Sequence, residues 1–140
     1  PVGGDTGFAN TITSFNSLSN GMKNLLRGLK GVHSYNGHGR AEHPEQTAIH
    51  PVVRRHPETG QEGLFINRMF TTRFDGMTEE ESAPILKYLD RFMSRPEFTC
   101  RVRWFPGQVI IWDNRFTLHY PINDFTGAQR MLLRCSTVES

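Results

Sequence analysis

The sequence is poor in cysteine, has no long apolar run and carries no charge bias, and each absence removes a class of protein. Two cysteines, Cys100 and Cys135, cannot build the disulfide framework of a small secreted scaffold and read as reduced thiols in a cytoplasmic protein. No apolar stretch nears the roughly 18 residues of a membrane span, and no charged-then-apolar signal peptide opens the chain. Lys and Arg number 16 against 14 Asp and Glu, a net charge of +2, and no basic run is longer than Arg54-Arg55. Neither nucleic acid nor a membrane surface is therefore expected as a partner. No internal repeat or low-complexity tract is present. The composition, 36% hydrophobic and 21% charged over 140 residues, suits one modest domain with a core. The chain opens at Pro1 without Met, which loss of an initiator or truncation would explain; the missing motif described below favours truncation.

Hydrophobic spacing divides the chain. Ser19 is placed to cap a helix carrying Met22, Leu25, Leu26 and Leu29 on one face, with Gly31 ending it. The polar stretch to about Gln46 reads as loop. Two short apolar runs, Ile49 to Val53 and Leu64 to Asn67, flank the turn sequence His56-Pro57-Glu58-Thr59-Gly60. Thr78 and Glu81 form a capping box ahead of a helix that buries Ile85, Leu86, Leu89, Phe92 and Met93, and Pro84 is expected to delay or kink it. Strands are expected at Phe98 to Trp104, at Val109 to Trp112 as a buried strand, and at Arg130 to Val138, with turns at Pro106-Gly107 and Asp113-Asn114. The sum is an α+β domain around an antiparallel sheet or barrel.

Six histidines invite a metal reading, but His33, His38, His43, His50 and His56 sit in or beside predicted loops and read as solvated or turn residues. His119 differs. It follows Trp112-Asp113-Asn114-Arg115, and Arg130 and Arg134 come after it. On a strand these two arginines share a face and stand about 13 Å apart. Turned inward they would each need an anion, which leaves room for two small anionic ligands with a reacting centre between them. Turned outward they would simply be solvated, and pattern alone leaves both open.

Trp112-Asp113-Asn114-Arg115-x-x-x-His119 followed by Arg130-x-x-x-Arg134 is similar to the C-terminal signature of the taurine dioxygenase family, iron(II)- and 2-oxoglutarate-dependent enzymes acting on taurine, alkyl sulfates and aryloxyacetates. Gly3-Gly4-Asp5-Thr6, Ser17-Leu18-Ser19, His50 to Gly60 and Leu64-Phe65-Ile66-Asn67 resemble further family segments in the same order. The resemblance implies the C-terminal part of a double-stranded β-helix, a jelly-roll or cupin-like barrel with flanking helices. It implies Fe(II) as cofactor, 2-oxoglutarate as cosubstrate, and hydroxylation of a small anionic substrate with dioxygen. His119 would be the distal histidine on iron. Arg130 and Thr6 would hold the far carboxylate of 2-oxoglutarate, and Arg134 the anionic head of the substrate. Trp112 would pack near the metal, and Phe65 or Phe70 would wall the substrate pocket.

One departure stands out. The family places a His-x-Asp motif, carrying the other two iron ligands, upstream of Gly-Gly-Asp-Thr, and no His-x-Asp occurs anywhere in this chain. Residues 1–140 are therefore expected to be a single partial dioxygenase domain, inactive in isolation. The rivals are a non-catalytic remnant and a jelly-roll module that binds small acids without metal. Which anion is the substrate, and whether the protein is a homo-oligomer, stay open.

Overall fold

The computed structural model describes residues 3–34, 47–125 and 131–137. In chain order it contains β1 (Thr6–Asn10), α1 (Thr11–Asn16), α2 (Asn20–Arg27), β2 (Lys30–Ser34), β3 (Thr47–Pro51), β4 (Val53–Arg55), β5 (Glu62–Leu64), β6 (Thr71–Phe74), α3 (Glu79–Met93), a 3-10 turn at Pro96–Phe98, β7 (Thr99–Val102) and β8 (Thr117–Pro121). The strands pair antiparallel throughout, in the orders β7-β1-β8, β3-β2-β6 and β4-β5. Mixed helices and antiparallel sheets match the expected class.

Local chemistry explains the helices. The Asn10 side chain accepts from the backbone N–H groups of Ile12 and Thr13, both at 3.0 Å, and starts α1 directly off β1. Ser19 caps α2 through Met22 N–H at 3.3 Å, and Leu26 on its inner face is fully buried. At α3 both halves of the capping box form: Thr78 accepts from Glu81 N–H at 3.2 Å, and Glu81 accepts from Thr78 N–H at 2.8 Å. That cap fixes the start of α3 at Glu79, so Pro84 does not delay it. The core joins Phe15, Leu18 and Leu26 to Val52, Leu64, Ile66 and Phe74, and to Leu89, Phe92 and Met93 of α3. Each such side chain contributes on the order of 1.5–3 kcal/mol through burial. Ser82 is fully buried, accepts from Phe74 N–H at 2.9 Å and donates to Thr78 C=O at 2.7 Å, tying α3 to β6.

Four expectations need correction. α2 ends at Arg27 with Gly28 as its cap, not at Gly31. Gly31 lies in β2, where a Cβ would stand 3.2 Å from Thr71 Cγ2 and 3.3 Å from His33 Nε2. The run Ile49 to Val53 divides between two sheets at Val52, whose side chain turns fully into the core. Val109 to Trp112 forms no strand, and Val109 and Ile111 are 81% and 92% exposed. Residues 131–137 are likewise without regular structure, with Leu133 94% exposed. A strand needs a hydrogen-bonding neighbour, and none of the described strands pairs with either segment. The Pro106-Gly107 turn is present, closed by Gln108 N–H to Phe105 C=O at 3.0 Å with Gly107 at φ +80°.

Candidate functional site

The central strand β1 organises the site. Side chains of Thr6 and Phe8 project from one face of it, because strand residues alternate. In register, Phe8 lies opposite His119 of β8 and Cys100 of β7, and Thr6 lies opposite Pro121 and Val102. Thr6 and His119 are thus diagonal neighbours on one face, a separation of about 7–8 Å. The His119 ring sits 6.2 Å from Phe8 and 5.1 Å from Trp112, which itself meets Phe8 edge-on at 5.3 Å. Arg134 closes the group: its Nη1 donates to His119 Nε2 at 3.3 Å, and its guanidinium stands 5.8 Å from the Trp112 ring centre.

Arginine has no acceptor, so His119 Nε2 must offer its lone pair and the ring proton belongs on Nδ1. Burial, and then the Arg134 charge, hold the His119 pKa below its ordinary value. A neutral imidazole with a directed Nε2 lone pair is the form that ligates a metal.

Around this face the backbone is pinned. Thr6, 7% exposed, accepts a hydrogen bond from the indole Nε1–H of Trp104 at 2.9 Å. Arg101 donates to Asp5 at 2.6 Å and to Asp124 at 2.8 Å, while Asp124 also accepts from Gly4 N–H at 2.7 Å. That last bond, helped by Arg101, holds the Asp124 carboxyl below its usual pKa. The loop leaving β8 is thereby clipped to the start of β1. Arg130, and with it any contact to Thr6, lies outside the described residues.

The other expected site residues make contacts of their own. Phe65 packs on His33 and His50, with ring centres 5.5 and 5.3 Å away, and carries Arg54 over its face at 4.6 Å. Phe70 ends the turn before β6, where its C=O accepts from Ser34 N–H at 2.8 Å. His33 and His50 are not solvated turn residues: they sit half-buried in β2 and β3, their rings 5.4 Å apart. Burial, and then His50, push the His33 pKa down.

His56 does open the β4–β5 turn, its C=O accepting from Gly60 N–H at 2.8 Å, but it is not solvated; its side chain is only 13% exposed. It stacks on Phe116 at 4.9 Å, and its ring nitrogens face Asp113 at 3.1 Å and Glu58 at 2.9 Å. Arg115 bonds both carboxylates, at 2.6 Å to Asp113 and 3.0 Å to Glu58. Hydrogen bonding from Arg115 lowers the Asp113 pKa from 3.8 to about 2. This network fastens the β4–β5 turn to the segment leading into His119. His38 and His43 lie outside the described residues.

The donor set does not complete an iron site. Among the described residues no group of three His, Cys, Asp or Glu side chains could hold a metal ion, and His119 has no second such side chain placed to share one. Two His-x-Glu triplets exist, His43-Pro44-Glu45 and His56-Pro57-Glu58. The first lies outside the described residues, and in the second both side chains are engaged with each other, Asp113 and Arg115. The same face sets the buried Thr6 hydroxyl diagonally across from His119. Sequence reading misses Phe8, Trp104 and Arg101, because Trp104 meets Thr6 across 98 positions and no local pattern reports such a pair.

Comparison with known proteins places these features. Residues 1–136 match the profile of the family described as taurine catabolism dioxygenase TauD, TfdA. The chain is 36% identical to an alkylsulfatase of Acinetobacter baylyi, covering 95% of itself and 47% of that protein. It is 34% identical to an alpha-ketoglutarate-dependent sulfonate dioxygenase of Saccharomyces cerevisiae, covering 88% of itself and 32% of the relative. A crystal structure of a taurine dioxygenase from Burkholderia xenovorans superposes with a TM-score of 0.80 at 38% identity, over 89% of this chain and 42% of that one. The chain thus spans less than half the length of these relatives.

Proposed function

Since the chain belongs to the taurine catabolism dioxygenase family, we propose that residues 1–140 are the C-terminal part of an Fe(II)/2-oxoglutarate-dependent dioxygenase hydroxylating a small anionic substrate. A sulfonate such as taurine, an alkyl sulfate or an aryloxyacetate fits this reading. The observation that carries it is the shared face on which Thr6, Phe8, Trp112, His119 and Arg134 meet.

In this reading His119 is one ligand of iron, and the others come from a His-x-Asp segment outside residues 1–140. Iron with 2-oxoglutarate and dioxygen supplies the oxidation. The chain's own residues orient. Thr6 and Arg130 hold the far carboxylate of 2-oxoglutarate, Arg134 pairs the substrate anion through parallel hydrogen bonds, and Trp112 and Phe8 keep water from the His119 side. Phe65 and Phe70 wall the substrate pocket. The barrel is a jelly roll in which Val109 to Trp112 and the residues after Arg130 become paired strands.

Succinate formation tests the reading. The 140-residue chain, given Fe(II), ascorbate and a panel of sulfonates, sulfates and aryloxyacetates, should form no more than a trace, and the longer protein should turn over at least one class. Robust turnover by the short chain would overturn the assignment of the ligands. A longer protein that binds the anions without oxidising them would favour the binding module.

A further inference from the structure

The Thr6 hydroxyl is held by a residue outside every motif that marks this site. Thr6 opens β1 between β7 and β8, with Val102 opposite it in β7. Trp104 lies two residues further along the chain, where β7 has ended, and its indole reaches back to Thr6 Oγ1 at 2.9 Å. Indole Nε1 can only donate. It therefore occupies a lone pair of the Thr6 oxygen, and the hydroxyl proton is directed away from Trp104. A threonine hydroxyl otherwise rotates among several partners. With its acceptor side committed to an indole, it is set up as a donor, which is the role a carboxylate requires.

The surroundings support this arrangement. Thr6 is 7% exposed, so its hydroxyl is shielded from competing water. Arg101, three residues before Trp104, grips Asp5 beside Thr6 and, through Asp124, the loop leaving β8. β7 and the residues just after it thus fix both the backbone around Thr6 and the rotation of its hydroxyl.

We propose that Trp104 is a positioning residue for the cosubstrate: its indole N–H orients the Thr6 hydroxyl to donate to the far carboxylate of 2-oxoglutarate. The inference rests on the role given to Thr6 in the reading above, and a double-mutant cycle separates the two.

The full protein carrying this sequence is loaded with Mn(II) in place of iron, so that no turnover intervenes. Binding of 2-oxoglutarate is then measured by calorimetry for the wild type, Trp104→Phe, Thr6→Val and the double variant. Thr6→Val should weaken binding on the order of tenfold or more, as for a lost bond to a charged group, and Trp104→Phe about threefold to tenfold. In the Thr6→Val background Trp104→Phe should add nothing, because no hydroxyl remains to orient. Thr6→Ser, which keeps the hydroxyl, should restore sensitivity to Trp104→Phe. In steady state with iron, Trp104→Phe should raise KM for 2-oxoglutarate with kcat nearly kept.

An equal loss from Trp104→Phe in both backgrounds would show that Trp104 acts through packing and would overturn the inference alone. Unchanged binding for Trp104→Phe with weakened binding for Thr6→Val would do the same. Unchanged binding for Thr6→Val would overturn the role of Thr6 and the inference with it. Melting temperatures of all variants exclude unfolding as the cause of any loss, and should Trp104→Phe not fold, Trp104→His, which keeps a ring N–H, supplies the second test by retaining coupling to Thr6.

Discussion

At the scale of single residues, two charged groups carry testable consequences. Arg134 touches His119 and the Trp112 face, and among the described residues it meets no acid. If it pairs the substrate anion, Arg134→Ala in the full protein should weaken sulfonate binding by on the order of 2–5 kcal/mol while 2-oxoglutarate still binds. Calorimetry with each ligand separates the two, and equal sulfonate affinity for both proteins would assign Arg134 to solvent. Asp113 makes a pH prediction. Arg115 depresses its pKa from 3.8 to about 2, so the folded carboxyl holds its proton less tightly than the unfolded one. Its stabilisation is fully present above its unfolded pKa and is lost as pH falls through the folded value. Thermal melts from about pH 5 down to about pH 2 should therefore fall more steeply for the wild type than for Asp113→Asn; parallel curves would refute the network's contribution.

At the scale of elements, the ties between helix and sheet decide the outcome. Ser82→Ala should destabilise by about 1–3 kcal/mol, because it strips the buried Phe74 N–H of its acceptor. Thr78→Ala, which removes the cap of α3, should cost about 1 kcal/mol. Denaturant midpoints measure both, and a Ser82→Ala loss smaller than that of Thr78→Ala would contradict the tie to β6. These two helix signals were legible in the sequence because capping is local: Ser19, Thr78 and Glu81 act within three positions. The strands were harder. β1, β2, β6 and β8 owe their existence to partners far along the chain, such as Thr6 with Val102 and Pro121, and short runs of mixed residues announce no such pairing. The opposite error struck at Val109 to Trp112, where strong strand character is present without a described partner. The site divides along the same line. The His119 to Arg134 signature was readable because it is contiguous, whereas Phe8, Trp104 and the burial of His33, His50 and His56 arise from packing between elements.

At the scale of the whole molecule, several large apolar side chains stand exposed. Val109, Ile111, Met131 and Leu133 are 81%, 92%, 86% and 94% exposed, a pattern expected of a face that another part of a protein covers. If residues 1–140 belong to a longer protein, as proposed above, hydrogen exchange should show the backbone at these positions unprotected in the 140-residue chain and protected in that longer protein. An apolar-surface dye should bind the former and not the latter, and equal behaviour of both would count against a completed barrel. The register of β1 has a further consequence, for synthesis. Its two neighbours, β7 and β8, are made after every other described strand, and at ordinary translation speed the interval between Thr6 and Pro121 is on the order of ten seconds. Until Val102 is made neither β7 nor β8 can pair with this strand, and the β8 edge waits until Pro121, so the order of manufacture obliges this region to close late and exposes it to chaperones first.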